Sequence, residues 1–382
     1  MRDDAPSEQR ARMSPDTGAG PGTEEMPRTQ FTRRRLLISV LFVVSSLAFL
    51  YFVLPKLVGL HETWSRIQEG NGWWLGLAVV LEICSFAGYV VLFRVVFARG
   101  ASRIHWRESY QITMAGLAAT RLFAAAGAGG IALTAWAVRR SGMPRRVVAC
   151  RMIAFLALLY GVYMAALVVD GIGLYLGVFP GPAPFAITVV PAIFGGVVIA
   201  VFLAIALLPQ DFERLVTRGA SGGRWPARLA RWLAAAPATA GSGIRTAIDL
   251  VRAREPHVLG AVAWWGFDIA VLWACFHAFD ASPPKAVIVM AYFVGMLANT
   301  LPLPGGIGGV DGGMIGAFSA FGVNVDVAIV AVLAYRAIAF WLPTLPGGVA
   351  YLQLRKTVNR WRRELAPDPA RPLHEASGGA SR

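Results

Sequence analysis

The chain has 382 residues, of which 56% are hydrophobic and only 15% are charged. A water-soluble surface needs a larger charged share, so this composition excludes an ordinary soluble protein and indicates a membrane protein. The net charge of +14 fits three kinds of partner or cause: nucleic acid, anionic lipid, or the basic bias of cytoplasmic loops. Its placement along the chain must decide between them.

The first 32 residues are polar and rich in Pro, Gly, Thr, Glu and Arg. Such a segment buries too little apolar surface to offset its chain entropy, so we predict a disordered cytoplasmic tail over 1–32. Three arginines at 33–35 then precede an apolar run over 36–54. This run is longer than the core of a signal peptide and is long enough to span a bilayer, which predicts a first transmembrane helix.

Seven further apolar segments follow and are separated by polar connections. They cover about 73–97, 109–138, 147–169, 185–208, 257–279, 286–321 and 327–354. The total is eight hydrophobic segments in a membrane-embedded domain over 33–354.

The basic residues are concentrated in five of the gaps between these segments. Together the five gaps hold 29 of the 36 lysines and arginines: 1–35, 98–108, 139–146, 209–256 and 355–382. By the positive-inside rule these gaps face the cytoplasm, which predicts a multi-pass protein of the inner (plasma) membrane with both termini cytoplasmic. Orientation therefore accounts for most of the charge, and we expect no nucleic-acid partner.

Two apolar segments have lengths that do not fit the predicted sides of the polar gaps before and after them. The gaps 98–108 and 139–146 are both predicted to be cytoplasmic, yet only about 30 residues separate them, whereas two full spans need about 40. We therefore predict that 109–138 is a re-entrant hairpin of two half-helices, with its turn at the Ala-Gly-Ala-Gly-Gly sequence of 126–130. The same argument makes 286–321 a hairpin that enters from the opposite side and is broken at 301–309.

These expectations define the fold class. We predict an all-α polytopic protein with six full transmembrane helices and two oppositely oriented re-entrant hairpins. A shift of 180 residues aligns Gly129 with Gly309 and Ala137 with Ala317, which indicates an inverted repeat. In transporters, interrupted helices at corresponding places in two inverted halves mark the substrate site, so the glycine-rich breaks are expected to line a cavity.

Ionisable side chains within apolar segments are costly and are functional candidates. The acidic ones are Glu82, Asp268 and Asp311, and the arginines are Arg121, Arg151 and Arg336. Because a guanidinium matches phosphate oxygens, we predict that the three arginines contact a phosphate-bearing substrate. For Arg336 an ion pair with Asp268 or Glu82 is the alternative, and for Arg151 it is snorkelling to the nearby cytoplasmic surface.

The three acids are predicted to supply counter-charge or a proton site. Asp311 follows the second glycine-rich break and opens a half-helix, so it is either an N-terminal cap, a proton or cation site, or a partner for Arg336. Glu82 and Asp268 are alternatively hydrogen-bonded groups within the bundle.

The remaining motifs do not indicate a specific function. In the loop 209–256, arginines and tryptophans at 225–233 suit either an interfacial helix or a plain cytoplasmic linker. The three cysteines and five histidines lack metal-ligand or disulfide spacing, and no Walker or nucleophile-elbow sequence occurs. We therefore expect no metal and no cofactor.

The sequence Asn-Thr-Leu-Pro-Leu-Pro-Gly-Gly-Ile-Gly-Gly-Val-Asp at 299–311 resembles a signature of the flippase-like family named after the membrane region of lysylphosphatidylglycerol synthase. The resemblance covers about 35–355, and Asp311 stands where relatives carry Glu. It implies that Gly305, Gly306, Gly308 and Gly309 contribute to the substrate site.

The resemblance also implies a function. Members move polar-headed lipids between leaflets, so the expected partner is an anionic or aminoacylated phospholipid or a polyprenyl-phosphate carrier. Full synthases carry a soluble catalytic domain after the bundle, whereas about 28 residues follow Leu354 here, so we expect no aminoacyl transfer. The alternative is a non-catalytic scaffold or accessory subunit of a lipid-modifying system, with its buried charges in structural ion pairs.

Overall fold

The computed structural model describes residues 70–99, 103–122, 128–207, 227–300 and 308–365. Within these ranges all regular structure is helical, which confirms the all-α class. The α-helices of the described ranges are α1 (Gly72–Phe97), α2 (Trp106–Leu122), α3 (Ala128–Arg140), α4 (Arg145–Tyr175), α5 (Phe185–Ala206), α6 (Ala227–Arg252), α7 (Gly260–Ala278), α8 (Lys285–Leu297), α9 (Gly309–Ala320) and α10 (Val325–Leu365). Short 3-10 turns at Pro256–Leu259 and Ala298–Thr300 precede α7 and follow α8.

Five described helices are long and apolar enough to cross a membrane: α1, α4, α5, α7 with its preceding turn, and α10. They coincide with five of the six full spans that the sequence predicts. The sixth predicted span, 36–54, lies outside the described residues.

The first interrupted segment forms two helices, α2 and α3, that pack closely. A Cβ atom at Gly130 would lie 2.5 Å from the carbonyl oxygen of Gly116, and one at Gly116 would lie 2.9 Å from Oγ1 of Thr134. Gly130 also approaches Thr120, so the contacts run in opposite directions along the two helices. Glycine at this crossing lets the antiparallel backbones meet.

Part of the turn predicted at 126–130 is helical, since Gly129 and Gly130 belong to α3. Residues 123–127, between α2 and α3, lie outside the described residues. The second interrupted segment is built in a similar way from α8 and α9. A Cβ atom at Gly295 would lie 2.8 Å from the backbone nitrogen of Met314, and the connection between the 3-10 turn and α9 is again outside the described residues.

The basic gaps gather at one end of the bundle. Arg103 lies 4.0 Å from Glu364, and Arg99 pairs with Glu255. At the other end of the first interrupted segment, the charge of Arg140 is close enough to Arg362 for the two to repel. The start of α2 and the end of α3 therefore lie at the same end of the bundle, next to the end of α10.

The second helix pair starts and finishes at the opposite end. The N–H of Asn71, before α1, donates to the carbonyl of Ala278 at the end of α7. The ring of Phe276 in the last turn of α7 lies 4.7 Å from that of Phe318 in α9. The loop before α5 packs at Gly181 against Val287 near the start of α8. The two helix pairs thus enter the bundle from opposite ends; that they are re-entrant in a membrane stays a prediction.

Helix contacts repeat between the two halves of the bundle. α1 packs on α7, which occupies the corresponding place in the second half. α2 packs on α10 just as α8 packs on α4, and α3 packs on α4 just as α9 packs on α10. This is the pattern of contacts that the predicted inverted repeat requires.

Two regions that the sequence places outside the apolar segments contain helix. The loop 209–256 contains α6, which packs on α4 and α5; for example, Arg245 Nη1 donates to the carbonyl of Ala206 over 3.0 Å. The predicted tail from 355 begins inside α10, which continues to Leu365. Leu354, Val358 and Trp361 are buried at helical spacing, so one apolar stripe keeps the helix on the bundle although its other face is basic.

Candidate functional site

A cavity of about 400 Å³ lies where the two interrupted helix pairs meet the long helices. Its walls come from α1, α2, the start of α3, α4, α5, α7, the end of α8 and α10. The polar side chains that line it include Thr113, Thr120, Arg121, Thr134, Tyr160, Tyr163, Asp268, Asn299, Tyr335 and Arg336.

Described residues that flank both interrupted regions line this cavity. Arg121 is the next-to-last residue of α2, and Gly130 is in the first turn of α3. From the other helix pair, Asn299 in the 3-10 turn after α8 reaches the same space. Interrupted backbone at membrane depth requires polar surroundings, and a shared polar cavity supplies them.

Arg121 is held within the bundle. Its Nη1 donates a hydrogen bond of 3.3 Å to the carbonyl of Phe340, and its guanidinium carbon lies 5.9 Å from the ring centroids of both Phe86 and Phe340. The charges of Glu82 and Asp268 both act on it. An arginine in this position presents its donors to the cavity while acidic groups nearby offset its charge.

Arg336 pairs with Asp311 and not with the acids named as alternatives. Its Nε lies 2.6 Å from Oδ1 of Asp311. The other carboxylate oxygen of Asp311 accepts a 2.9 Å hydrogen bond from the N–H of Gly308. Asp311 therefore combines two of the roles considered for it, since it caps the start of α9 and also binds the arginine.

Asp268 and Glu82 form a second polar cluster beside the cavity. Oδ2 of Asp268 accepts hydrogen bonds from the hydroxyl groups of Tyr292 and Tyr335, the latter over 3.0 Å. Glu82 interacts electrostatically with Asp268, and its Oε2 has no hydrogen-bond donor among the described residues. Both acids are buried, so this cluster brings two of the predicted acidic residues together on facing helices, α1 and α7.

Arg151 lies away from the cavity. Its two terminal nitrogens donate to the carbonyls of Phe97 and Arg99, over 2.9 and 2.7 Å, at the end of α1. A cation at a helix C-terminus satisfies the last carbonyl groups and the helix dipole. Arg151 does not line the cavity, and its contacts are those of a cap for α1.

The predicted glycines are only partly described. Gly305 and Gly306 lie outside the described residues. Gly308 has a φ of +82°, which favours glycine, and it turns the chain into α9. Gly309 begins α9, and neither Gly308 nor Gly309 lines the cavity.

Several residues of the cavity and its acidic cluster were not predicted from the sequence. Tyr335, which lines the cavity, and Tyr292, which donates to Asp268, were passed over because tyrosine in an apolar segment is ordinary core material. Asn299 belongs to the recognised signature but was not singled out. The available signal was position, since Tyr335 directly precedes Arg336 and Asn299 lies two residues before the predicted break.

The cavity can bind an anion. It combines two arginines with hydroxyl and amide donors, a set that suits phosphate oxygens. In the described ranges, no three His, Cys, Asp or Glu side chains come close enough to hold a metal ion.

Residues 36–347 match the family model described as the lysylphosphatidylglycerol synthase TM region. The matched range includes the five long apolar helices apart from the end of α10, both interrupted helix pairs and the charged residues of the cavity.

Curated relatives match over shorter stretches. A UPF0104 membrane protein of Methanothermobacter thermautotrophicus is 33% identical over 107 residues, which are 27% of this chain and 30% of that protein. A UPF0104 membrane protein of Methanocaldococcus jannaschii is 30% identical over 95 residues, which are 25% of this chain and 28% of that protein. The chain thus matches less than a third of the length of these relatives.

Proposed function

Because the chain belongs to the family of the lysylphosphatidylglycerol synthase transmembrane region, we propose that it moves a lipid between the two leaflets of a membrane. The proposed substrate is a phospholipid or another phosphate-bearing lipid carrier, whose head group enters the cavity. The observation that carries this proposal is the presence of Arg121 and Arg336 on the wall of one cavity inside an apolar bundle.

The cost of burying arginine supports a binding role. A charged side chain at membrane depth costs at least about 2.5–3.5 kcal/mol on insertion scales, so an arginine at this depth indicates a binding or other functional role. Two guanidinium groups at one cavity form a strong site for a phosphate, which each binds through paired N–H donors.

The shape of the cavity favours a lipid over a water-soluble phosphate. Three lining side chains, Ile131 on α3, Tyr160 on α4 and Phe194 on α5, are 42%, 45% and 45% exposed. They lie both on the cavity wall and on the outer surface of apolar helices. A gap at this place would let acyl chains remain in the bilayer while the head group reaches the arginines.

The inverted arrangement supplies a route between leaflets. If α2–α3 and α8–α9 are equivalent hairpins entered from opposite sides, each can open the cavity to one leaflet in turn. We further propose that the end carrying Arg99, Arg103 and Arg362 faces the cytoplasm, because the basic gaps gather there.

Lipid that copurifies with the protein tests this function. We expect mass spectrometry to find a phosphate-bearing lipid bound to the wild type in a mild detergent. Arg121→Gln should lose most of it, whereas Arg252→Gln, which changes an exposed arginine of α6 outside the cavity, should retain it. Equal lipid in both variants would contradict the proposed site.

A second function is favoured by one observation. The 2.6 Å pair between Arg336 and Asp311 fits a membrane scaffold or accessory subunit whose buried charges only hold helices together. In that case a folded Arg121 variant retains lipid and full activity of any partner enzyme, and the wild type does not transfer lipid between leaflets.

A further inference from the structure

We propose that the Glu82–Asp268 pair is a proton-binding site and that uptake of a proton there is coupled to binding of an anionic lipid head group at Arg121. This inference rests on the proposed function and adds a driving force to it. Translocation would then draw on a proton gradient.

The surroundings of Glu82 favour a proton on the carboxyl pair. Glu82 is 1% exposed on α1 and Asp268 is 7% exposed on α7, two helices that pack on each other, and the two side chains interact electrostatically. Among the described residues, no donor reaches Oε2 of Glu82. Two ionised carboxylates here would repel each other, and a buried carboxylate oxygen without a donor is costly. One proton on the pair removes both costs.

The neighbouring hydroxyl groups indicate which acid is ionised. Tyr292 and Tyr335 both donate to Oδ2 of Asp268, and hydrogen bonds to the charged form stabilise it. Glu82 is therefore the protonated partner and Asp268 the carboxylate. In this state Asp268 balances the charge of Arg121, on which it acts directly.

Binding of an anion changes this balance. Before binding, the charges of Asp268 and Arg121 sum to zero, as do those of Arg336 and Asp311. A phosphate that arrives at Arg121 adds one negative charge, which competes with Asp268 for the same guanidinium. If a proton from water forms an O–H bond on Asp268, the site is neutral again with lipid and proton both bound.

The surrounding groups leave the carboxyl pair as the one that titrates. The charged neighbours are Arg121 on α2 and Arg336 on α10, and both arginines stay protonated. The other titratable neighbours, from α1, α4, α7, α8 and α10, are Tyr89, Tyr160, Tyr163, Cys275, Tyr292 and Tyr335. Tyrosine and cysteine are ordinarily neutral between pH 5 and 7, so a change of affinity in that interval reports on Glu82 and Asp268.

Binding measurements at several pH values test the coupling. The probe is a fluorescent phosphatidylglycerol added to the purified protein in nanodiscs of zwitterionic lipid, between pH 5 and 7.5. For the wild type we expect affinity to increase as pH falls, by up to about tenfold per pH unit when one proton is taken up. Glu82→Gln/Asp268→Asn keeps the shapes but holds the pair neutral, so its affinity should be pH-independent and close to the wild-type value at pH 5.

Asp170→Asn provides a matched control. Asp170 is also a buried acid, 7% exposed on α4, but it does not line the cavity. This variant should keep the pH dependence of the wild type. If the double variant does not fold, a pH indicator in weak buffer gives the same information from the wild type alone, since about one proton should be taken up for each lipid bound.

The outcomes separate this inference from the proposed function. Lipid binding with the same affinity at pH 5 and 7.5, or without proton uptake, overturns the coupling and leaves translocation intact. A pH dependence that persists in the double variant also overturns the assignment to these residues. Failure of the wild type to bind or transfer lipid at any pH overturns the proposed function itself.

Discussion

Arg336 Nε lies 2.6 Å from Oδ1 of Asp311, and this ion pair joins the middle of α10 to the first turn of α9. Both side chains are nearly buried, and Asp311 is fixed further by the N–H of Gly308. Arg336 also lines the cavity. The pair therefore links the first turn of α9 to a residue of the cavity wall.

Removing both members of this pair should cost less than the sum of the two single removals. Asp311→Asn deprives Arg336 of a buried carboxylate, so we expect the free energy of unfolding to fall by about 3–5 kcal/mol. Arg336→Gln should have a similar effect, whereas the double variant should lose clearly less than the sum. Chemical denaturation in detergent measures this. Strictly additive losses would show that the two residues do not interact.

The close crossing of α2 and α3 predicts a selective effect of alanine. Gly130→Ala places a methyl group 2.5 Å from the carbonyl of Gly116, which forces the helices apart and should cost about 1–3 kcal/mol. Gly161→Ala, at a helix position with nothing within 4 Å, should be neutral or stabilise by up to about 1 kcal/mol. Thermal unfolding of both variants checks this, and equal shifts would contradict the crossing.

At the end of the bundle where the basic gaps gather, a buried hydrogen bond should contribute more to the free energy of unfolding than an exposed ion pair. Thr357 Oγ1 donates over 2.9 Å to Oε1 of the buried Gln111, so Thr357→Val should cost about 1–3 kcal/mol. Arg360 lies 3.7 Å from Glu108 but is 56% exposed, and Arg360→Ala should cost less than about 1 kcal/mol. A larger loss for Arg360→Ala in chemical denaturation would show that charge pairing holds α2 to α10.

The contacts of Glu255 with His257 and Arg99, before α7, predict that thermal stability depends on pH. A hydrogen bond with His257, then the charge of Arg99, lowers the pKa of Glu255 below its usual range. The stabilisation is therefore present above that range and lost as pH falls through the lowered value. We expect wild type to unfold at a higher temperature than Glu255→Gln at pH 6, and the difference to shrink as pH falls below about 4.3, the ordinary pKa of glutamate. A difference that stays the same as pH falls from 6 to 2 would contradict this assignment.

The sequence was sufficient for the parts of the fold that depend on length and charge. Apolar length predicts α1, α4, α5, α7 and α10, because a span needs about 20 apolar residues whatever it packs against. The distribution of arginines also predicts that 98–108 and 139–146 lie at the same end. The structure agrees, since Arg103 and Arg140 both lie beside the end of α10.

Side-chain partners could not be predicted in the same way. The sequence left Asp268, Glu82 and Asp311 open as partners of Arg336; in the structure the first turn of α9 brings Asp311 to it, while two tyrosines donate to Asp268. For Arg151 the sequence left open a substrate contact or snorkelling to the cytoplasmic surface. Its contacts with the end of α1 depend on how α4 crosses α1, which spacing along one chain does not determine.

Leaflet-specific transfer of a fluorescent phosphate-bearing lipid is the most direct test of the central claim. The purified protein is reconstituted into vesicles, and a membrane-impermeant quencher reports which leaflet holds the probe. We predict that wild type and Arg252→Gln transfer the probe and that folded Arg121→Gln transfers it at least tenfold more slowly. Transfer by Arg121→Gln at the wild-type rate, or no transfer by the wild type above protein-free vesicles, would contradict the account.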